Sequence, residues 1–160
     1  MAQEIERKFL AEAEGWSATS QVRLRQGYLP SAGGVAVRVR LRGEDEAFLT
    51  LKGGGAARRR AEFDYAIPRT DGEAMLAQFC GDRVVEKIRH YVPAGDLTWE
   101  VDVFTGRHAG LVLAEIELPT ESTEFVRPAW LGEEVTEDPD YGNYALAVAE
   151  NLPERPPSPC

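Results

Sequence analysis

Charged side chains recur at every second position in several short segments of this 160-residue chain. The segment Glu4-Ile5-Glu6-Arg7-Lys8 carries two carboxylates and an amine at this spacing, and Arg38-Val39-Arg40 carries two guanidinium groups. Successive side chains of a β-strand point to opposite faces, so residues at this spacing share one face. The basic members of the pattern are Lys8, Arg38, Arg40, Lys52, Arg60, Lys87 and Arg89. The acidic members are Glu4, Glu6, Glu62, Asp64, Glu100, Asp102, Glu115 and Glu117.

A face with both signs of charge suits a complex of metal ions and phosphates. Carboxylate oxygens are hard ligands for Mg²⁺, Mn²⁺ or Ca²⁺. Guanidinium and ammonium groups are donors that match phosphate oxygens. A bound metal can also position and activate a water for attack on phosphorus. The pattern therefore predicts cations that hold the phosphates of a ligand and carboxylates that hold the metals bridging them.

Eight predicted antiparallel strands carry these residues. Period-two alternation bounded by Gly, Pro and Asp places them at 4–10, 22–29, 35–42, 46–52, 60–67, 84–92, 97–104 and 111–118. Thr70 and Glu73 form a capping box that predicts a helix, which Gly81 ends. The pair Asp138-Pro139 predicts the start of a second helix with an apolar stripe. A shorter helix is predicted around residues 121–125, before a proline.

Eight antiparallel strands can close into a barrel, and the alternation allows two arrangements. Apolar faces that point inward would give an ordinary hydrophobic core and a charged outer surface. Apolar faces that point outward would need helices to cover them, and the charges would line the lumen. Periodicity does not choose between the two. Because pairing alone does not repay the desolvation of many ions, a charged lumen requires water, metal ions or a charged ligand to fill it.

Length and composition limit the classes of protein further. The length predicts one domain over residues 1–152, followed by a Pro-rich tail over 153–160 that we expect to be disordered. The net charge of −9, from 18 basic and 27 acidic residues, argues against nucleic acid as the main partner. No apolar stretch approaches the roughly 20 residues of a membrane span. The first residues lack the apolar segment of a signal peptide, so we expect a cytoplasmic location and no membrane partner.

The ordered set of motifs resembles the CYTH family, the triphosphate tunnel metalloenzymes. The first match is Glu4-Ile5-Glu6-Arg7-Lys8, which corresponds to the Glu-x-Glu-x-Lys signature of that family. The later matches, in order, are Gln26-Gly27-Tyr28-Leu29, Arg38-x-Arg40, Leu49-Thr50-Leu51-Lys52, Arg60-x-Glu62-x-Asp64, Glu86-Lys87-x-Arg89, Glu100-x-Asp102, Glu115-x-Glu117, Gly132-Glu133-Glu134-Val135-Thr136 and Tyr141-Gly142-Asn143. The resemblance spans about residues 3–150 and is strongest to the short bacterial members.

The resemblance implies an α+β fold, a closed eight-stranded antiparallel β-barrel or tunnel with a charged lumen, flanking helices and a C-terminal helix. It implies metal-dependent hydrolysis of a triphosphate or short polyphosphate, with inorganic tripolyphosphate as the expected substrate and orthophosphate as a product. The expected cofactor is Mg²⁺ or Mn²⁺, and the expected assembly is a monomer or homodimer.

The resemblance also implies roles for particular residues. The phosphate-binding residues would be Lys8, Arg38, Arg40, Lys52, Arg60, Lys87 and Arg89. The metal-binding residues would be Glu4, Glu6, Glu62, Asp64, Asp102, Glu115 and Glu117. The catalytic residues would be Tyr28, Lys52 and Lys87. Two positions depart from the family pattern, since Asp64 replaces a more usual Glu and Tyr144 stands where relatives can carry a basic residue.

Other functions use the same residues. An adenylate cyclase of class IV type would add a base-and-ribose pocket to the same triphosphate site, and a thiamine triphosphatase would be a narrower variant. A polyphosphate-binding module would bind without turnover. A barrel with a charged surface and an aliphatic core would have no triphosphate site.

Overall fold

The computed structural model describes residues 5–30, 33–53 and 61–153. The strands are β1 (Ile5–Ala11), β2 (Ser20–Tyr28), β3 (Val35–Arg42), β4 (Glu46–Gly53), β5 (Ala61–Ile67), β6 (Val84–Ala94), β7 (Leu97–Thr105), β8 (Val112–Leu118) and β9 (Leu131–Glu134). The helices are α1 (Arg69–Met75), a π-helix (Leu76–Cys80), 3₁₀ turns at Gly106–His108 and Pro139–Tyr141, and α2 (Asn143–Val148). Glu4, Arg60 and most of the predicted tail lie outside the described residues.

All described strands belong to one antiparallel sheet with the order β5-β4-β3-β2-β6-β7-β8-β1-β9. The eight predicted strands are present, with ends within two residues of the prediction. The predicted closed eight-stranded barrel is wrong on two counts, because the sheet has a ninth strand and hydrogen bonds do not close it. The ninth strand lies at the β1 end of the sheet. It pairs with β1 at Phe9 and Ala11, on the side of β1 away from β8.

The register brings the predicted charged residues onto one face of the sheet. Residues directly opposite each other on paired strands project to the same side. Arg89 lies opposite Asp102, and Lys8 lies opposite Glu115. The charged positions of neighbouring strands therefore form a continuous surface, as the alternation predicts.

Two segments cover the opposite, apolar face. The α1 and π-helix segment packs Leu76 and Cys80 against Leu41 and Ala47 of the sheet. Farther along the sheet, Phe9, Trp99 and Trp130 form an aromatic cluster, with Phe125 from the segment after β8 packed against it. Other parts of the chain cover the apolar side, and Lys87 and Asp102 on the charged side are buried as well, so we infer that the charged side is the inner face of the sheet. This arrangement is the second of the two that the alternation allows.

A third cluster closes one end of the charged face. Tyr28 and Phe104 from the sheet pack there with Tyr141 and Leu146 from the C-terminal 3₁₀ turn and α2. All four side chains are buried. The face is therefore bounded at this end by an apolar wall, which we call the apolar end.

The helices differ in part from their predictions in how they start and how they are capped. The capping box is wrong, because the residue before α1 is Pro68 and no side chain caps the helix. Gly81 ends the π-helix with a φ of 56°, as predicted, since glycine adopts positive φ at little cost. The Asp138 side chain accepts a hydrogen bond from the Asp140 amide, as predicted, but Gly142 in extended conformation separates this 3₁₀ turn from α2.

The helix predicted around residues 121–125 is absent, because these described residues form turns and irregular structure. The Thr120 and Thr123 hydroxyl groups hydrogen-bond each other, and the Thr120 amide donates to Thr123 Oγ1. Such side-chain bonds offer the backbone an alternative to a helix. None of the helices among the described residues combines the length and hydrophobicity needed to cross a lipid bilayer.

Gly27 of β2 packs directly against the π-helix. A Cβ at this position would lie 2.5 Å from Leu76 Cδ2 and 2.8 Å from Cys80 Sγ. Neither neighbour could accept that contact without moving. Glycine is therefore required here by packing, and it lies between the two inward-facing residues Gln26 and Tyr28.

Candidate active site

The charged face changes in character along the strands. On β7, Phe104 belongs to the apolar end, Asp102 lies two residues farther along, and Glu100 two residues beyond that. The charged residues of this face fall into two groups, which we name by their chemistry. The cation layer consists of Lys8, Arg38, Arg40, Lys87 and Arg89, with Asp102 among them. The carboxylate mouth consists of Glu6, Glu100, Glu115 and Glu117.

Lys87, Arg89 and Asp102 form a buried ion-pair network in the cation layer. Lys87 Nζ lies 2.8 Å from Asp102 Oδ2, and Arg89 donates to both Asp102 oxygens at 2.8 and 3.0 Å. Lys87 is 1% exposed and Asp102 is 4% exposed. Burial lowers the pKa of Lys87 to about 8, although Asp102 opposes that shift. Burial would raise the pKa of Asp102, but the two cations lower it to about 2, so Asp102 is a carboxylate at neutral pH.

The C-terminal helix also contacts Lys87. The Nζ atom donates to Asn143 Oδ1 at 3.1 Å and lies 5.3 Å from the centre of the Phe104 ring. Lys87 is therefore held in one position by three partners. At the same end, Lys8 Nζ donates to the Tyr141 carbonyl at 3.3 Å.

Two arginines of β3 complete the cation layer. Arg40 Nε donates to Gln26 Oε1 at 2.8 Å, and an Nη atom of Arg38 donates to Thr50 Oγ1 at 3.2 Å. Burial, together with repulsion from Arg38 and Arg89, lowers the pKa of Arg40 to about 10. Arg38 Nε is buried and has no hydrogen-bond partner among the described residues. A buried donor of this kind fits an anionic ligand, because an unpartnered polar group is otherwise costly.

The carboxylate mouth lines a cavity of about 460 Å³. Partial burial and the nearby carboxylates Glu115, Glu117 and Glu100 raise the pKa of Glu6 to about 7. Mutually repelling carboxylates around a cavity are a donor set that suits a hard divalent cation. No three Asp, Glu, His or Cys side chains among the described residues converge closely enough to hold a metal ion by themselves. The donor chemistry therefore fits a metal, while convergence on one ion would need other ligands such as phosphate oxygens.

The remaining predicted site residues lie on β4 and β5. Lys52 Nζ is 3.7 Å from Glu62 Oε1, and the Thr50 hydroxyl donates to Asp64. Glu62 and Asp64 are exposed on β5, which is at the edge of the sheet. The structure places these residues on the same face as the cation layer but apart from the carboxylate mouth.

Tyr28 and Lys52 are not joined by a hydrogen bond among the described residues. The Tyr28 hydroxyl instead accepts a hydrogen bond from the Gln26 amide at 3.3 Å. The Tyr28 ring packs edge-on against the Tyr144 ring, with centroids 5.3 Å apart. Tyr144 of α2 therefore contacts this face of the sheet through an aromatic ring.

Sequence reasoning gave no role to three neutral residues that hold the charged ones, although each stands in a matched motif. Gln26 contacts Arg40 and Tyr28, Thr50 contacts Arg38 and Asp64, and Asn143 contacts Lys87. Gln26 and Thr50 could have been found, since each lies two residues before a predicted catalytic residue and so shares its face. Asn143 could not be found by alternation, because it lies on a helix 56 residues away from Lys87.

The family model described as the CYTH domain matches residues 2–147. The chain belongs to the CYTH family. An inorganic triphosphatase of Acetivibrio thermocellus is 41% identical over 147 residues, covering 91% of this chain and 94% of that protein. An inorganic triphosphatase of Nitrosomonas europaea is 42% identical over 151 residues, covering 91% of this chain and 97% of that protein.

The fold of this CYTH protein is also similar to a crystal structure of an inorganic triphosphatase. The two chains are 39% identical with a TM-score of 0.76, and the match covers 94% of this chain and 98% of the other. Membership of a family of triphosphate tunnel metalloenzymes implies a divalent metal. The carboxylate mouth is the part of the described structure whose donors suit one.

Proposed function

We propose that this CYTH protein is an inorganic triphosphatase that hydrolyses tripolyphosphate with Mg²⁺ or Mn²⁺. The observation that supports it best is the imbalance of charge in the cation layer. Lys87 and Arg89 pair with Asp102, the single fully buried carboxylate among the described residues, whereas the side chains of Arg38 and Arg40 hydrogen-bond the neutral Thr50 and Gln26. An excess of cations on this face suits an anion with several oxygens, such as a triphosphate. Relatives more than 40% identical bear the name inorganic triphosphatase.

The cation layer would bind the phosphate oxygens of the substrate. Arg38 would use its unpartnered Nε, and Lys87 would be presented by Asp102 and Asn143. Because both Asp102 oxygens are engaged by Lys87 and Arg89, we infer that Asp102 acts by holding these cations. Lys8, Lys52 and Arg60 are further phosphate ligands in this proposal.

The carboxylate mouth would hold the metal through Glu6, Glu115 and Glu117. Glu4, Glu62 and Asp64 are the other proposed ligands. A bound divalent ion neutralises phosphate charge and orients water. Hydrolysis forms a bond between a water oxygen and the terminal phosphorus and breaks the phosphoanhydride bond, which releases orthophosphate and pyrophosphate. The fixed cations stabilise the charge that develops on the phosphate oxygens.

The test is phosphate release from tripolyphosphate with Mg²⁺ or Mn²⁺, with ATP and thiamine triphosphate in parallel. We expect release that needs metal and falls at least tenfold in Glu6→Gln. The matched control is Glu12→Gln, an exposed glutamate just after the same strand, which should retain wild-type activity. Full activity in excess chelator would contradict the proposal. Metal-dependent binding without release would favour a polyphosphate-binding module, and conversion of ATP to cyclic AMP would favour a cyclase.

The remaining expectations from the sequence stay predictions. They are the single domain over 1–152, the cytoplasmic location, the absence of a nucleic-acid partner and the monomeric or homodimeric state. Gel filtration with light scattering measures the last of these directly.

A further inference from the structure

The Tyr28 hydroxyl lies where the apolar end meets the cation layer, near Gln26, Arg38 and Arg40. Tyr28 is 6% exposed and Gln26 is 0% exposed, so the contacts between them are shielded from water. The Gln26 amide hydrogen-bonds the Tyr28 oxygen, and Arg38 lies directly opposite Tyr28 on β3. This environment determines the direction in which the hydroxyl proton can point.

The orientation of the Gln26 amide follows from its other partner. Arg40 Nε can only donate, so the amide atom 2.8 Å from it must be the carbonyl oxygen. The amide nitrogen therefore faces Tyr28, 3.3 Å from the phenol oxygen, and donates to it. Arg40 thus fixes Gln26, and Gln26 fixes Tyr28 as an acceptor on this side.

A phenol also has one proton to donate. Among the described residues no acceptor receives the Tyr28 proton, whereas the Tyr28 oxygen accepts from Gln26. The nearby cations Arg38 and Arg40 offer no acceptor atoms either. A phosphate oxygen bound in the cation layer would be the acceptor that the protein lacks.

We propose that Gln26 is a positioning residue: anchored by Arg40, it holds the Tyr28 oxygen so that the hydroxyl proton is donated to a phosphate oxygen of the ligand. The inference rests on the proposed function in that the ligand is a triphosphate. It gives the neutral Gln26 a role that glutamate cannot fill. Glutamate has nearly the same shape and would keep the contact with Arg40, but its carboxylate would accept the Tyr28 proton instead of donating to the oxygen.

The test is a double-mutant cycle with Gln26→Glu and Tyr28→Phe, read by the affinity for tripolyphosphate in excess chelator and by kcat with metal. We expect Tyr28→Phe to weaken binding or lower kcat about tenfold or more, as for the loss of a charge-assisted hydrogen bond. Gln26→Glu should cost at least as much in the wild-type background. In the Tyr28→Phe background the effect of Gln26→Glu should be at least fivefold smaller. The effect that remains would come from the added negative charge alone. Gln21→Glu, an exposed glutamine on the same strand, is the matched control.

Equal effects of Gln26→Glu in both backgrounds, or wild-type affinity and kcat in Gln26→Glu, would overturn the proposal. Should Gln26→Glu fail to fold, Gln26→Met replaces it, with a loss of about threefold that should also disappear with Tyr28→Phe. A readout without ligand is the tyrosine Raman doublet, taken as wild type minus Tyr28→Phe. It should change from an accepting to a donating phenol in Gln26→Glu, and an unchanged doublet would refute the role of Gln26. Coupling between Gln26 and Tyr28 in the binding measurements, without phosphate release, would support the role of Gln26 and refute the hydrolytic function.

Discussion

Replacing Asp102 with asparagine should destabilise the protein strongly while leaving its shape unchanged. Asp102 is the one fully buried acidic side chain in the part of the chain that the structure describes. Asparagine keeps the volume but removes the counter-charge of Lys87 and Arg89, which lie 2.8 Å from the carboxylate oxygens. Removing one partner of a buried ion pair costs about 3–5 kcal/mol. Glu100 also contacts Arg89 at 3.0 Å, so we expect a loss at the lower end, about 3 kcal/mol.

The assay is thermal and urea unfolding of wild type, Asp102→Asn and the exposed control Asp96→Asn, all in chelator. For a chain of this length about 3 kcal/mol corresponds to a fall in Tm of roughly 6–12 °C. The control should stay within about 0.5 kcal/mol of wild type. Tripolyphosphate at 100 times its Kd should restore about 2.7 kcal/mol, because it would supply anionic oxygens to the same cations. A loss below about 1 kcal/mol in Asp102→Asn would show that Lys87 and Arg89 do not depend on this carboxylate.

Three further predictions concern catalysis and pH. Lys87→Met should lower kcat for tripolyphosphate about 100-fold or more, because it removes a fixed charge beside the phosphates, and circular dichroism should show a folded protein. The hydrogen bond from Arg7 lowers the pKa of Glu134 to about 2. The stability that ionised Glu134 contributes is therefore present above its ordinary pKa of 4.5 and is lost as the pH falls towards 2. Glu134→Gln should therefore unfold about 0.5–1 kcal/mol more easily at pH 7 and equal wild type near pH 2 in urea titrations. The pKa of Glu6 is raised to about 7, so metal-free wild type should lose stability as pH rises through 7, and Glu6→Gln should melt about 2–4 °C higher at pH 8 but not at pH 4.

The strands were predictable because each alternates along its own length, and register then placed Arg89 beside Asp102 without further information. Which face lies inside was not predictable from alternation, since an apolar face packs equally well against a core or against helices. That choice depends on α1 and on the segment carrying Phe125, which belong to other parts of the chain. The ninth strand was missed because Leu131–Glu134 is short, contains glycine and does not alternate. It pairs with β1 at one end of the sheet, and no hydrogen bonds join that end to β5 among the described residues.

The charged residues of the candidate site were predictable from the sequence. The neutral residues that hydrogen-bond them were less so. Lys87 and Arg89 stand out in the sequence because basic and acidic residues recur together on the same face of several predicted strands. Gln26 and Thr50 are neutral and look like ordinary polar strand residues, although both are fully buried. Their importance comes from the hydrogen bonds they make across strands, which depend on register and not on composition.

The tight contact at Gly27 has a consequence for mutational screens. Any side chain there must displace Leu76 or Cys80, and the strain would pass along β2 to Gln26 and Tyr28 on the other face. A saturation library scored only by phosphate release would therefore rank Gly27 with the residues that touch the ligand, although it has no functional group. Scoring the same library for abundance as well would separate them, since Gly27 variants should be depleted in both and Tyr28→Phe only in turnover.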